Sequence, residues 1–436
     1  MSVAARGEAI AFTSELIRMD TSNYGAGQDG PGERVAAEWV AGKLDEVGLD
    51  VTVVESAPRR TSLVAAWEPA GCDASLPPLL VHGHLDVVPA VADEWSVGPF
   101  SGEVTDGCVW GRGAIDMKDF DAVMLAVLRD RVRTSRPPRR PIRWVFTADE
   151  EAGGPLGSVW LAERHPDLIA DCTEAVGEVG GFSLTVAGRR LYLIQTAEKG
   201  LAWLKLVAEG TAGHGSMRNA GNAVTALARA VADIGTYAWP PHLHPAQQAF
   251  LDAVGEALGT PIATDDVEET LTRLGSISRM VGATMSHTAN PTMLAAGYKA
   301  NVIPRTATAI LDGRFLPGRR DEFVETVRQI AGDAVRVVVD QEQPSAEAAW
   351  GTPLTDAMGE TLRTLDPDAH LTPYLLSAGT DAKAWTSLGM ACYGFVPLKL
   401  APEFDFVAMF HGVDERVPVE SVEFCTEAFD RFLDLA

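Results

Sequence analysis

The sequence predicts an α/β protein in which a mixed-sheet domain is interrupted by a smaller βαββαβ unit. Three observations carry that prediction. Short apolar runs at 50–54, 62–67, 78–83 and 142–147 alternate with segments of helical spacing, as strands and helices of a layered α/β sheet do. Near residue 198 the pattern changes, and the following stretch to about 342 reads strand, helix, two strands, helix, strand. At 436 residues the chain also exceeds what one ordinary core accommodates. The predicted division is a discontinuous first domain, 1–197 with 343–436, and an inserted domain, 198–342.

Each element has a local reason. A helix is expected over 7–19. Residues 31–47 place Val35, Ala36, Trp39, Val40, Leu44 and Val47 at helical spacing, and Gly48 closes the segment. A further helix is predicted over 117–132. In the insertion, LAWLKLVAEG (201–210) and TATAILDGRF (306–315) read as strands, and 222–234 and about 320–331 as helices. VRVVVD (335–340) completes the set.

Composition excludes several roles. Acidic residues outnumber basic ones, 60 to 36, and the formal charge is -24. That field repels nucleic acid and anionic membrane. No uninterrupted apolar run reaches the roughly 18 residues of a membrane helix. The first twenty residues lack the pattern of a secretory signal, and the five cysteines (Cys72, Cys108, Cys172, Cys392, Cys425) have neither CxxC spacing nor an even count. A cytoplasmic protein is expected.

The chemistry gathers where strands end, which is where open α/β sheets place their sites. LLVHGHLDVVPA (79–90) sets His82, His84 and Asp86 two apart, so an extended strand points them the same way. WGRGAIDMKD (110–119) offers Asp116, FTADEEAGG (146–154) offers Asp149, Glu150 and Glu151, GEVGGF (177–182) offers Glu178, and MFHGVDERVP (409–418) offers His411. Together they form a nitrogen and oxygen donor set suited to zinc, cobalt or manganese. Taken singly, His82 reads as a hydrogen-bonded core histidine, Asp116 as a helix N-cap, His214 as a surface histidine and Arg314 as the ion-pair partner of Asp312. GAGQDG (25–30) satisfies GxGxxG, but it follows a helix rather than a strand and reads as a loop. No GxSxG elbow occurs.

In this order along one chain, the strings GHLDVVP, GRGAIDMK, ADEEAGG, GEVGGF, HGS (214–216), NVIP (301–304), DGR (312–314), GTDA (379–382) and HGVDERVP closely resemble the M20 peptidase family of binuclear metallohydrolases. The resemblance runs from DTSN (20–23) to the final helix. It implies a zinc-hydrolase catalytic domain with an inserted ferredoxin-like lid and dimerisation domain. His84 and Glu178 would bind one metal, His411 and Glu151 the other, with Asp116 bridging. Asp86 would orient the His84 imidazole, Glu150 would be the general base, and His214 would act from a partner subunit. Asn301, Arg314, Gly379 and Thr380 would receive the substrate's carboxylate. The implied protein is a homodimer holding two divalent ions, Zn2+ with Co2+ or Mn2+ as substitutes, and cleaving an amide bond in an N-acyl amino acid or short peptide. A single-metabolite deacylase such as a desuccinylase is the second reading, and an idle ligand-binding relative the third. Asp119, Phe120 and Lys383 depart from the family pattern around the expected site.

Overall fold

The apolar run at 79–84 becomes the strand Leu79–His84, and all six of its residues are buried. A strand covered on both faces has no reason to alternate, which explains its near-continuous apolar character. The computed structural model describes residues 2–25, 28–262, 272 and 278–436, so Ala26 and Gly27 of the GAGQDG stretch lie outside the described residues. Leu79–His84 runs parallel to Ile142–Thr147 on one side and to Glu174–Gly177 on the other. Ala391–Gly394 extends the parallel block beyond Glu174–Gly177. Antiparallel strands flank this block: Arg60–Trp67 and Thr52–Ala57 at one side, Arg189–Glu198 at the other. His370–Leu376 adds to Arg189–Glu198 in parallel, and Ser183–Val186 and Ala346–Glu347 pair with it antiparallel, completing a ten-stranded mixed sheet among the described residues.

Four helices, Val3–Ile17, Arg34–Asp45, Lys118–Arg133 and Val419–Leu435, share one core with the sheet. The Lys118–Arg133 helix lies innermost and is buried from Lys118 to Arg131. Its Phe120 meets Phe429 edge to face at 5.0 Å, and Arg131 is neutralised by Asp430 at 2.7 Å and Asp434 at 2.8 Å. Gly83 is required by this closeness, because a Cβ there would stand 2.3 Å from the Asp121 carboxylate of the helix. Leu161 and Trp385, from the short helices Ser158–Arg164 and Ala382–Ser387, belong to a second core cluster.

The expected insertion forms a separate four-stranded antiparallel sheet in the order Thr288–Ala296, Thr306–Phe315, Gly200–Glu209, Val335–Gln343. With strands numbered along the chain this is the 2-3-1-4 arrangement of a ferredoxin-like βαββαβ unit. Helices Ala223–Gly235 and Arg320–Ala331 pack on it around Leu204, Leu227, Leu311 and Phe323. One element departs from the prediction. The helix Pro245–Leu258, unanticipated within 198–342, leaves this unit and packs on the large sheet beside His370–Leu376. Phe250, Leu251 and Val254 place its apolar face in the large core. The helical face of the small sheet is already covered by two helices, so a third amphipathic helix buries its stripe elsewhere.

Candidate metal centre

The parallel strands deliver their acidic and imidazole groups at their carboxyl ends. His84 is the last residue of Leu79–His84, Glu178 follows Glu174–Gly177, and Glu150 and Glu151 lie in a single turn after Ile142–Thr147. That turn needs two consecutive left-handed glycines, Gly153 at φ +88° and Gly154 at φ +74°, to reverse the chain tightly. Asp116 precedes the buried helix; it does not cap it, since the N-cap is Met117 and no side-chain capping hydrogen bond forms there.

Two groups of three donors converge, His84 with Asp116 and Glu178, and Asp116 with Glu151 and His411. Asp116 belongs to both. Its Oδ1 lies 3.1 Å from His84 Nε2, and its Oδ2 lies 3.2 Å from His411 Nε2. Glu178 Oε2 is 3.4 Å from His84 Nε2, and Glu151 Oε2 is 3.2 Å from His411 Nε2. Each imidazole thus has its own glutamate, and one aspartate joins the pairs. Glu150 approaches more loosely, 3.9 Å from His84 Nε2.

So many carboxyls in one buried pocket cannot all be ionised without cations. Burial pushes the Glu150 carboxyl well above its ordinary range, with the Glu178 charge adding to it. Burial likewise raises Glu178 to about 7 and raises Glu151. For Asp116 burial works in the same direction, but hydrogen bonds from His411 and His84 outweigh it and hold the carboxyl low. Hydrogen bonds to Asp116 and Glu151 lift His411 to about 10. Protons on the imidazoles take the place that positive ions would fill. The donor set suits hard or borderline divalent cations, and Glu178 Oε1 is buried without a hydrogen-bond partner among the described residues. The residues therefore fit a pair of such ions.

Asp86 differs from expectation. Its backbone carbonyl, not its carboxylate, is the near partner of His84 Nδ1, at 3.0 Å against 3.7 Å. The carboxylate accepts hydrogen bonds from the backbone N–H groups of Glu150 (3.0 Å) and Glu151 (3.1 Å) and from Asn23 Nδ2 (2.8 Å). Asn23 also donates to Asp149 (3.0 Å), and Arg60 holds Asn23 Oδ1 at 2.9 Å. Glu415 supports the opposite side, accepting from Ile115 N–H at 2.8 Å and from Arg112 at 2.5 Å. Sequence reasoning assigned no role to Asn23, Arg60 or Glu415, although Asn23 and Glu415 sit in the quoted strings DTSN and HGVDERVP. His82 is buried against Trp385, ring centroids 5.8 Å apart, and its Nδ1 lacks a hydrogen bond among the described residues. It is a core histidine, as expected, but not a hydrogen-bonded one at Nδ1. Burial lowers it to about 3, so it stays neutral.

The expected substrate residues fall into two separate groups. His214 and Asn301 are exposed and adjacent, because Gly213–His214 pairs with Val302–Ile303 and Gly215 N–H donates to Asn301 carbonyl at 2.9 Å. His214 Nδ1 hydrogen-bonds Ser216 Oγ at 2.8 Å. Arg314 lies toward the other end of Thr306–Phe315, roughly 25 Å along the strand. There it pairs with Asp312 at 2.7 Å, and its charge adds to burial in disfavouring protonation of Lys383. Lys383 in turn abuts Gly379, where a Cβ would stand 2.2 Å from the ammonium nitrogen, and Thr380 Oγ1 donates to Glu198 at 3.4 Å. A single chain does not bring His214 and Asn301 to Arg314.

Comparison with known proteins agrees with the geometry. The family model described as Peptidase family M20/M25/M40 matches residues 80–435. Human N-fatty-acyl-amino acid synthase/hydrolase PM20D1 is 30% identical over 378 residues, 81% of this chain and 73% of that protein. Aminoacylase-1 of Sus scrofa is 28% identical over 398 residues, 89% of this chain and 87% of that one. Among solved structures, an M20 family metallo-carboxypeptidase from Sulfolobus solfataricus superposes with a TM-score of 0.72 at 16% identity, covering 98% of this chain and 99% of that one.

Proposed function

The chain belongs to the peptidase family M20/M25/M40 and is a hydrolase of peptide or amide bonds, and from that premise we propose a binuclear metal-dependent enzyme acting beside a free carboxylate. The substrates are N-acyl amino acids or short peptides. The observation that carries the reading is Asp116, whose two oxygens face two histidines, each with its own glutamate. His84, Asp116 and Glu178 would hold one ion, and Asp116, Glu151 and His411 the other. When bound, two divalent ions, Zn2+ by preference and Co2+ or Mn2+ otherwise, would acidify a water and polarise the scissile carbonyl.

The chain's own residues supply the rest. Glu150 takes a proton from the attacking water and returns it to the nitrogen of the leaving amine. Its burial raises its proton affinity toward the range such a shuttle needs. Asp86 fixes the turn that carries Glu150, through the two backbone N–H groups it accepts. Arg314, with Gly379 and Thr380, receives the substrate carboxylate in a bidentate grip once Asp312 releases the guanidinium. His214 and Asn301 act across a homodimer, His214 donating to the developing oxyanion. Their exposure and distance from Arg314 in one chain support that arrangement. In this reading the inserted unit, 198–342, is the lid and dimerisation domain, and 1–197 with 343–436 the catalytic one.

Among the described residues no helix is long and apolar enough to cross a membrane, and the five cysteines are unpaired. A cytoplasmic setting suits both. The test is hydrolysis of N-acyl amino acids and dipeptides by the metal-loaded protein, with Glu150→Gln alongside. Turnover abolished in the variant supports the reading; turnover equal in both overturns it.

A further inference from the structure

The small four-stranded sheet carries its helices on one face. Ala202, Leu204 and Leu206 of Gly200–Glu209, with Ala309 and Leu311 of Thr306–Phe315, share the core under those helices. The alternate residues, Leu201 and Trp203 with Asp312 and Arg314, therefore point to the opposite face. Strand pairing sets these side chains in two rows. In the first, Leu201 stands between Arg314 and Gln343; in the second, Trp203 stands between Asp312 and Gln341. A bulge follows, with Asp340 as the extra residue between the partners of Trp203 and Leu204. Bulges recur beside active sites because they re-aim a side chain without ending the sheet.

The first row abuts the metal centre. Gln343 Nε2 donates to the Gly153 carbonyl, in the turn that carries Glu150 and Glu151, at 2.8 Å, and Gln343 Oε1 accepts from Lys383 at 3.5 Å. The charges of Arg314, Glu150 and Asp312 all act on Lys383, so the acidic turn and the arginine neighbour one ammonium group. Trp203 is one row further along the strand, roughly 7 Å from Leu201. Its side chain is 39% exposed, and its Nε1 donates to Asp312 Oδ2 at 3.3 Å. The same oxygen accepts from Arg314 Nη2 at 3.1 Å. One aspartate thus holds the guanidinium and the indole side by side, a cation next to a large apolar plane left in water.

We propose that Trp203 is a specificity-determining residue whose exposed ring receives an aromatic substituent of the substrate, carried on the carbon that joins the free carboxylate to the amide nitrogen. The substrate class is then N-acylated aromatic amino acids, or short peptides ending in one. The proposal rests on the amide-hydrolase reading, in which Arg314 grips the carboxylate. With the carboxylate on Arg314 and the amide extended toward the Glu150 turn, the remaining substituent of that carbon lies beside the row that holds Trp203. A ring there covers the indole and gains the edge-on or offset contact that aromatic pairs favour beyond their buried area. A methyl group leaves the indole wet.

The test compares the zinc-loaded protein on N-acetylphenylalanine, N-phenylacetylalanine and N-acetylalanine, which carry a ring on the carboxylate side of the amide, on the acyl side, or on neither. The same compounds are titrated calorimetrically into Glu150→Gln, with and without Trp203→Ala, which measures binding without turnover. The expected kcat/KM for N-acetylphenylalanine exceeds that for N-acetylalanine by roughly tenfold or more, the size of one good aromatic contact with its buried area. Trp203→Ala should bring that ratio close to one, and Trp203→Phe should restore most of it. A tryptophan needed only for folding, or only to hold Asp312, would lower both substrates together and leave the ratio unmoved, which would overturn the proposal. An equal kcat/KM for the two compounds in the parent protein, or a Trp203-dependent preference for N-phenylacetylalanine instead, would overturn it too. Should none of the amides be hydrolysed, the parent reading fails, and the calorimetric ratio decides on Trp203: a ratio lost in Trp203→Ala upholds the subsite, and equal affinities or no binding reject it.

Discussion

The carboxylate of Asp86 accepts a hydrogen bond from the backbone N–H of Glu150 at 3.0 Å. Its second oxygen does the same for Glu151 at 3.1 Å. Two residues beyond the His84 strand end, Asp86 thereby ties the imidazole strand to the acidic turn, while its backbone carbonyl holds His84 Nδ1. Replacing Asp86 with Asn keeps the shape but loses the charge and sets an amide N–H2 against backbone N–H groups. Metal affinity and kcat should each fall by roughly 10- to 100-fold, as disturbance of ligand-supporting groups generally causes. Competitive chelator titration and steady-state kinetics measure the two losses separately.

Glu150 makes no close contact with either histidine, its nearest approach being 3.9 Å. Glu150→Gln should therefore keep the metal content of the parent protein while lowering kcat by about 10²- to 10⁴-fold, the usual contribution of a positioned general base. Elemental analysis of the purified variant separates a lost base from a lost metal.

Without metal the two imidazoles hold protons, His411 up to about 10 and His84 raised by Glu178 and Asp116 against the opposing effect of burial. An imidazole must shed its proton to ligate. Metal uptake near pH 7 should accordingly release protons, and affinity should rise with pH through the neutral range. Calorimetry in buffers of different ionisation enthalpy counts the protons; an uptake independent of buffer and of pH contradicts the ligand assignment.

His287 gives a pH effect remote from the metal centre. It is buried against Trp239 and Phe323, its Nδ1 accepts from Leu316 N–H at 3.1 Å, and burial, aided by Lys199, lowers it to about 4. Its folded value lies below its unfolded value of about 6.5, so the unfolded chain binds the extra proton between those values. Stability is then present above the unfolded value and is lost as pH falls toward the folded one, by about 2 kcal/mol between pH 7 and pH 5. His287→Asn, which keeps an acceptor near the Nδ1 position but does not titrate, should reduce the pH dependence of urea unfolding by that amount.

His214 and Asn301 stand together, away from Arg314. If they serve a neighbouring subunit, mixing inactive His214→Ala with inactive Glu150→Gln should restore partial activity, up to about a quarter of wild type for random pairing, since one site in four is then intact. No recovery despite demonstrated subunit exchange would contradict the shared site.

Much of this site was legible because its residues are tied to short strings at strand ends. The apolar runs at 78–83 and 142–147 marked two strands of the large sheet, and His84, at the end of the first, and Glu150 and Glu151, just after the second, could be placed from them. Other features escaped for physical reasons. The role of Asp86 turns on which oxygen approaches Nδ1, a difference between 3.0 and 3.7 Å that no spacing encodes. Arg60 and Asn23 reach the site across tertiary contacts from elements read only as scaffold. The helix Pro245–Leu258 carries a helical apolar stripe, but nothing local states which of two sheets that stripe will cover.

Asp116 is proposed to join two metal poles, and that role decides whether the site holds a pair of ions. It is tested most directly by the stoichiometry of zinc or cobalt bound to the purified protein, set beside His411→Ala and Asp116→Ala. Two ions per chain are expected for the parent, one for His411→Ala with the His84 pole intact, and neither held tightly by Asp116→Ala. A single ion in the parent, or two retained by Asp116→Ala, would contradict it.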